Sequence, residues 1–93
     1  MQNKKPKIIF AGTPEFSVPT LKLLYDSGYE VSLVLTQPDR KSGRGMKITH
    51  SPVKKYSLEH KLPVYQPKKL LNNEDVKNKI LSLKPDVLIV VAY

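Results

Sequence analysis

The stretch Ile8-Ile9-Phe10-Ala11-Gly12-Thr13-Pro14-Glu15 passes from a strand signal to a helix signal within a single turn of chain. Residues 8–11 are wholly apolar and rich in β-forming side chains, which predicts a short buried strand that ends at Gly12. A helix start follows, with Thr13 as the capping hydroxyl, a proline at the first helical position and an acid in the first turn. A strand that leads directly into a helix is typical of parallel α/β folds.

The same alternation continues along the chain. Further strands are predicted at 31–36, 64–66 and 87–92, and helices at about 17–27, 51–60 and 73–84. This β-α-β-loop-α-β-α-β order predicts an α/β fold with a Rossmann-like, doubly wound parallel sheet in the strand order 3-2-1-4. The unbroken apolar run at 87–92 predicts a fully buried central strand.

The predicted strand order places a ligand crevice at the carboxyl ends of the first and fourth strands, where the direction of the order reverses. Gly12, Thr13 and Tyr93 are the crevice residues that follow from this. The turn at 12–14 favours an anion through its backbone N–H groups and the helix dipole, although a simple tight turn explains Gly12 equally well. Because the other fingerprint glycines are missing and no acid follows the second strand, NAD binding is disfavoured.

A basic segment at 36–47 follows the second strand and predicts a long surface loop. Its cations are expected to contact phosphates and are Arg40, Lys41, Arg44 and Lys47. Arginine suits bidentate phosphate contact, and the glycines on both sides of Arg44 allow close approach of the backbone. The plainer alternative is a solvated flexible loop.

Composition supports an anionic partner, since the 93 residues carry a formal net charge of +8. The chain has no cysteine, and its two histidines lack the carboxylate pattern of a metal site. No apolar run approaches a membrane span, so a cytoplasmic location is expected. The residues offer binding features but no catalytic constellation.

Five motifs in this order and spacing resemble the amino-terminal part of the bacterial methionyl-tRNA formyltransferase family. They are IIFAGTPEF (8–16), TQPDR with GRG (36–40 and 43–45), SPVK (51–54), LPVYQP (62–67) and DVLIVVAY (86–93). One small departure is His50, where a proline is common. The likeness covers nearly all of the chain after Lys7.

The resemblance implies part of a Rossmann-like formyltransferase domain across residues 1–93. It implies transfer of a formyl group from 10-formyltetrahydrofolate to the α-amino group of methionine on initiator tRNA. Arg44 matches the arginine that engages the tRNA acceptor end, with Arg40, Lys41 and Lys47 beside it, and Tyr93 lies near the edge of the folate pocket. The family's catalytic asparagine, histidine and aspartate and its carboxy-terminal tRNA-binding domain lie downstream. These residues alone are therefore expected to be inactive, and the full-length protein is expected to be a cytoplasmic monomer.

Two other functions remain open at this point. A sugar-nucleotide formyltransferase would share the fold and the cofactor, but its substrate needs no long cationic arm. A non-enzymatic RNA-binding module would suit the charge, but the apolar strand at 87–92 would then lie exposed at a sheet edge.

Overall fold

The computed structural model describes residues 5–42, 45 and 47–93. In chain order its elements are β1 (Lys7–Gly12), α1 (Val18–Asp26), β2 (Glu30–Leu35), β3 (Arg40–Ser42), β4 (Lys47–Thr49), α2 (Pro52–Glu59), β5 (Val64–Tyr65), α3 (Glu74–Leu83) and β6 (Val87–Ala92). A short 3-10 turn, Glu15–Ser17, precedes α1.

Four of the strands form one parallel sheet in the order β5-β2-β1-β6. Counted along the chain among these sheet strands, the order is 3-2-1-4, so the predicted Rossmann-like topology is confirmed. Central strand β1 pairs on one side with β2, where Phe10 faces Val34. On its other side β1 pairs with β6, where Phe10 faces Ile89. All four carboxyl ends therefore lie along one edge of the sheet.

The core has a layer on each face of the sheet, as a doubly wound fold requires. On one face Phe10 packs with Leu21 of α1 and Val53 of α2. On the other face Ile9 and its neighbours are covered by the apolar side of α3. Alternate residues of β1 point to opposite faces, so this single apolar strand holds both layers together.

The prediction that residues 87–92 form a fully buried central strand is wrong. Strand β6 lies at an edge of the sheet, and Val87, Leu88 and Val90 are 42%, 46% and 54% exposed. An unbroken apolar run fits a strand covered on both faces, and β6 has that composition. Among the described strands, however, β1 alone pairs with it.

The segment predicted as a long loop is also more ordered than expected. Its two ends pair as an antiparallel hairpin, β3 with β4, in which Arg40 faces Thr49 and Ser42 faces Lys47. Gly45 lies between these strands with φ +82°, a backbone conformation that glycine adopts at low cost. The β-branched Ile48 and Thr49 favour the extended conformation of β4.

Side chains cap α2 and α3, whereas the predicted cap at Thr13 is wrong. Ser51 Oγ accepts a hydrogen bond from the backbone N–H of Lys54 at 3.0 Å, and Asn73 caps α3 in the same way. Thr13 is not a cap: Pro14 occupies the capping position before the 3-10 turn, and no side chain caps it. The Thr13 hydroxyl instead contacts residues at the end of β2.

Candidate functional site

A cleft of about 480 Å³ lies at the carboxyl edge of the sheet, between the strand ends and the β3–β4 hairpin. Its lining residues come from the turn after β1, the segment after β2, the end of the hairpin, the start of α2 and the end of β6. They are Thr13, Pro14, Gln37, Pro38, Arg40, Thr49, His50, Ser51, Pro52 and Tyr93. This is the switch point at which open parallel sheets bind their ligands.

Three hydroxyl groups form a hydrogen-bonded chain at the wall of the cleft. Thr13 and Ser51 line the cleft, and Thr36 is buried. The fully buried Thr36 donates from Oγ1 to Thr13 Oγ1 at 3.3 Å, and its Oγ1 lies 2.9 Å from Ser51 Oγ. Thr13 Oγ1 also accepts from the backbone N–H of Gln37 at 3.1 Å. These contacts join the ends of β1 and β2 to the start of α2.

Gln37 connects the hairpin to the edge of the sheet. Its side-chain Nε2 donates to the backbone oxygen of Tyr93 at 2.6 Å, and its Oε1 accepts from Arg40 Nη2 at 2.8 Å. Its own backbone oxygen accepts from Gln66 Nε2 at 3.1 Å. Because the amide is engaged at both ends, its orientation is defined, and it holds the Arg40 guanidinium against the cleft.

Asp39 fixes the base of the hairpin. Its carboxylate accepts from Lys54 Nζ of α2 at 2.8 Å and from Gln66 Nε2, which follows β5, at 2.9 Å. His50 Nδ1 lies 3.1 Å from the same carboxylate, which is a charge contact when the imidazole is protonated. Hydrogen bonds from Lys54 and then Gln66 lower the pKa of Asp39 from 3.8 to about 2.

Tyr93 closes the cleft at the end of β6. Its hydroxyl lies 2.8 Å from the backbone oxygen of Pro67 and donates to it, and it lies 3.3 Å from that of Thr36. Burial raises the pKa of the phenol. The phenol is thus tied to the sheet, and its ring and backbone form part of the wall.

The structure places the predicted site residues in three groups. Thr13, Tyr93 and Arg40 line the cleft. Gly12 does not line it but is buried directly beneath, at the end of β1. Arg44 lies outside the described residues.

The hairpin separates the remaining predicted cations by face. Residues directly opposite in an antiparallel pair share a face, and successive residues alternate. Lys47 pairs with Ser42, which is two residues from Arg40, so Arg40 and Lys47 lie on the same face of the hairpin. Lys41 lies with Ile48 on the other face. Since Arg40 and Thr49 line the cleft, the face carrying Lys41 is turned away from it.

The turn at 12–14 does not offer the anion-binding donors expected from the sequence. The backbone N–H of Thr13 donates to the oxygen of Ala92 at 2.8 Å, and Pro14 has no N–H.

Sequence reasoning missed Gln37, Asp39 and Gln66 as organisers of the site. The available signal was positional: polar residues directly after parallel strands meet at one edge of the sheet. Gln66 follows β5 as Gln37 follows β2, and the two side chains meet there.

The lowered pKa of Asp39 predicts a pH-dependent contribution to stability. Its pKa falls from 3.8 in the unfolded chain to about 2 in the folded protein. The contribution is therefore complete above about pH 4 and is lost as the pH falls to about 2. We expect Asp39→Asn to be less stable than wild type at pH 5 and the difference to shrink toward pH 2, as measured by urea denaturation. Lys54→Met, which removes the hydrogen bond from Lys54 to Asp39, should weaken the pH dependence of the free energy of unfolding over the same range. If the free energies of unfolding of wild type and Asp39→Asn change in parallel with pH, the assignment is contradicted.

Metal and membrane features are absent from the part of the chain that the structure describes. In residues 5–42, 45 and 47–93, no group of three or more histidine, cysteine or acidic side chains is placed to hold a metal ion. No helix in these ranges is long and apolar enough to cross a bilayer.

Comparison with known proteins identifies the family. The family model described as formyl transferase matches residues 5–93. The chain belongs to the formyl transferase family. It is similar to the methionyl-tRNA formyltransferase of Alkaliphilus oremlandii, with 54% identity over 87 residues, 94% of this chain and 28% of that protein. The Hydrogenovibrio crunogenus methionyl-tRNA formyltransferase is 59% identical over the same shares of the two chains.

A third relative extends the comparison toward the chain termini. The methionyl-tRNA formyltransferase of Francisella tularensis subsp. mediasiatica is 52% identical over 90 residues, 97% of this chain and 29% of that protein. This formyl transferase chain therefore spans somewhat over a quarter of the length of the curated relatives it matches. The cleft, the hairpin and their connecting hydrogen bonds all lie within the matched residues.

Proposed function

We propose that the protein carrying this chain transfers a formyl group from 10-formyltetrahydrofolate to the α-amino group of methionyl-initiator tRNA. The observation that supports this most strongly is the cleft at the switch point with a cationic hairpin along one side. The relatives named methionyl-tRNA formyltransferase support the same substrate. We further propose that the protein acts in the cytoplasm as a monomer.

The hairpin is proposed to contact the acceptor end of the tRNA. Arg40, Lys41 and Lys47 are exposed side chains of β3 and β4, and Arg44 lies between these strands in the sequence. Cations of this kind attract the phosphate backbone and position it without reading its sequence. Asp39 is hydrogen-bonded to Lys54 of α2 and to Gln66, which follows β5. The base of the hairpin is therefore held in place where the hairpin is proposed to contact the tRNA.

The proposed reaction is attack of the methionyl amine on the formyl carbon, which forms a tetrahedral intermediate with a developing oxyanion. The bond between the formyl carbon and N10 of the donor then breaks, and tetrahydrofolate leaves as N10 takes up the proton that the amine loses. Such a reaction needs hydrogen-bond donors and a group that moves a proton. By resemblance, the catalytic asparagine, histidine and aspartate lie beyond residue 93, as does most of the site for the folate donor. The residues described here are proposed to position the tRNA end, and Tyr93 is proposed to lie at the edge of the donor site.

The deciding experiment is a formyl-transfer assay with the complete protein, 10-formyltetrahydrofolate and methionyl-tRNA. We expect formyl-methionyl-tRNA to form, and we expect no product when the first 93 residues are used alone. The same assay with an amino-sugar nucleotide as acceptor separates the two enzymatic functions. Formylation of the sugar nucleotide without formylation of the tRNA would overturn the proposal.

Arg44→Ala tests the proposed role of the hairpin tip. Loss of one phosphate contact of about 1 kcal/mol should lower kcat/KM for methionyl-tRNA roughly fivefold. The KM for the folate donor should change far less, because most of the proposed donor site lies beyond residue 93. Steady-state kinetics with each substrate varied in turn will show this, and an equal loss for both substrates would refute the assignment.

A further inference from the structure

The hydrogen bonds among the three hydroxyl groups leave the O–H of Thr13 without an acceptor in the described residues. Thr36 Oγ1 donates to Thr13 at 3.3 Å. Either oxygen could donate in the 2.9 Å contact between Thr36 and Ser51, and with the Thr36 proton directed at Thr13, Ser51 is the donor. Thr13 Oγ1 accepts both from Thr36 and from the backbone N–H of Gln37. Its two acceptor positions are thus filled, and its proton has no acceptor among the described residues.

The direction of this donor follows from its surroundings. Thr13 lines the cleft, while Thr36 and the Gln37 backbone occupy the side of its hydroxyl that faces the sheet. The remaining direction is toward the cleft. A hydroxyl that already accepts two hydrogen bonds is also polarised as a donor.

Arg40 supplies a second set of donors on the same cleft. Gln37 Oε1 holds one guanidinium nitrogen at 2.8 Å, and the Gln37 amide is itself oriented by the backbone oxygen of Tyr93. A guanidinium carries five N–H donors in a planar fork that matches phosphate oxygens. With one nitrogen held by Gln37, the other donors of this exposed side chain have no hydrogen-bond partner in residues 5–42, 45 and 47–93 and are available to a ligand.

Three prolines give the cleft an apolar part of its wall. Pro14, Pro38 and Pro52 lie on its walls, and proline presents a flat aliphatic ring with no N–H. A volume of about 480 Å³ falls within the range of small-molecule sites, which combine apolar walls with a few fixed polar groups. The arrangement suits a ligand with one flat apolar part and one anionic part.

We propose that this cleft binds a single nucleotide unit of the acceptor strand. The Thr13 hydroxyl and the Arg40 guanidinium bind its phosphate, and the three prolines contact its base. The proposal rests on the proposed function, since it names the part of the tRNA that enters the cleft. It assigns Thr13 a direct contact with substrate and gives Ser51 and Thr36 the role of fixing the direction of its donor.

The test uses the complete protein and small probes, adenosine 5′-monophosphate and adenosine, followed by NMR chemical-shift titration. Thr13→Val removes the hydroxyl at nearly constant shape, and loss of a hydrogen bond to a charged group should weaken binding of the monophosphate about tenfold. Adenosine should bind wild type and Thr13→Val equally. Thr13→Ser keeps the hydroxyl and should restore binding, and Thr20→Val is the matched control on α1, outside the cleft.

Three results would overturn the inference. The first is equal affinity of the monophosphate for wild type and Thr13→Val. The second is a Thr13→Val variant that binds adenosine as much more weakly as it binds the monophosphate, which would place the contact on the ribose or base. The third is inorganic phosphate that competes as well as the monophosphate, which would exclude a nucleotide. Should Thr13→Val fail to fold, Arg40→Met must abolish the preference for the monophosphate over adenosine, and a retained preference counts equally against the inference.

Failure of the inference and failure of the proposed function give different results. A protein that formylates methionyl-tRNA but binds the monophosphate without help from Thr13 retains the function and loses the subsite. A protein that shows the Thr13-dependent preference but formylates no methionyl-tRNA retains the subsite and loses the function.

Discussion

Arg40→Ala is expected to raise the KM for methionyl-tRNA at least tenfold, whereas Lys41→Ala is expected to raise it less than about threefold. The two residues are adjacent on β3 and carry the same charge, yet the hairpin register turns them to opposite faces. Arg40 lines the cleft. A hydrogen bond between two charged groups in such a place contributes about 1.5–3 kcal/mol, and each 1.4 kcal/mol is a tenfold change.

Lys41 is expected to contribute only through the general field of the protein. It lies opposite Ile48, whose side chain is 65% exposed, on the face turned away from the cleft. An exposed cation on that face interacts through water and is screened by salt, so its contribution is within about 1 kcal/mol. Its effect should therefore disappear at high salt, while that of Arg40 should persist in part.

Steady-state kinetics of the complete protein at low and at high ionic strength will measure this difference. Arg40→Lys keeps the charge but lacks the planar fork that Gln37 holds at 2.8 Å, so it should recover only part of the loss. Gln37→Leu is a further control, because it removes the group that holds the guanidinium while leaving Arg40 in place. Equal effects of Arg40→Ala and Lys41→Ala would show that charge alone, and not the face of the hairpin, decides tRNA use.

Much of the fold was predictable because its signals are local. The strand predicted at residues 8–11 and the helices predicted from about residues 51 and 73 each depend on residues within a few positions of one another, and all three are confirmed. The order 3-2-1-4 followed from the strongly apolar first and fourth strands, expected at the centre, and the weak third strand, expected at an edge. The apolar content of each strand can be seen within its own segment of the sequence.

The exposure of β6 was not predictable in the same way. The apolar composition of a strand indicates that it is suited to burial. Whether it is buried depends on which other elements pair with it and cover it. Val90 is as apolar as the buried Val34, yet it is 54% exposed while Val34 is 0% exposed. The difference lies in their neighbours, since β2 has a strand on each side and β6 pairs only with β1 among the described strands.

The polar network of the site was missed for a related reason. Gln37, Asp39 and Gln66 belong to no motif of catalysis or phosphate binding, and they lie up to 29 positions apart in the chain. Only the parallel sheet brings the end of β2 and the end of β5 together. Side chains that organise a site through hydrogen bonds to the backbone leave little pattern in the sequence, whereas the basic residues of the hairpin are visible by their charge.

Gly12→Ala is expected to destabilise the protein by about 1–3 kcal/mol, the usual cost of overpacking a tight core. Gly12 lies at the end of β1, and its backbone is not in the left-handed conformation, which among the described glycines is adopted by Gly28 and Gly45. Its requirement is for space. A Cβ atom there would lie 2.9 Å from Cε2 of Phe10 and 3.0 Å from Cβ of Ser17, and both neighbours are fully buried.

Thermal and urea denaturation of the complete protein will measure the loss, and a double-mutant cycle will locate its cause. In a Phe10→Leu background the nearest ring atom is gone, so Gly12→Ala should cost less than it does in wild type. Gly45→Ala is the contrasting variant. No atom of the described residues beyond its chain neighbours lies within 4 Å of its Cβ position, but its φ of +82° strains any side chain, so its cost should be the same in both backgrounds. An undiminished cost of Gly12→Ala beside Phe10→Leu would show that the ring does not set the limit. Because Gly12 directly precedes Thr13, any shift that relieves the clash also moves the hydroxyl that faces the cleft, so Gly12→Ala should weaken binding of adenosine 5′-monophosphate even where the protein remains folded.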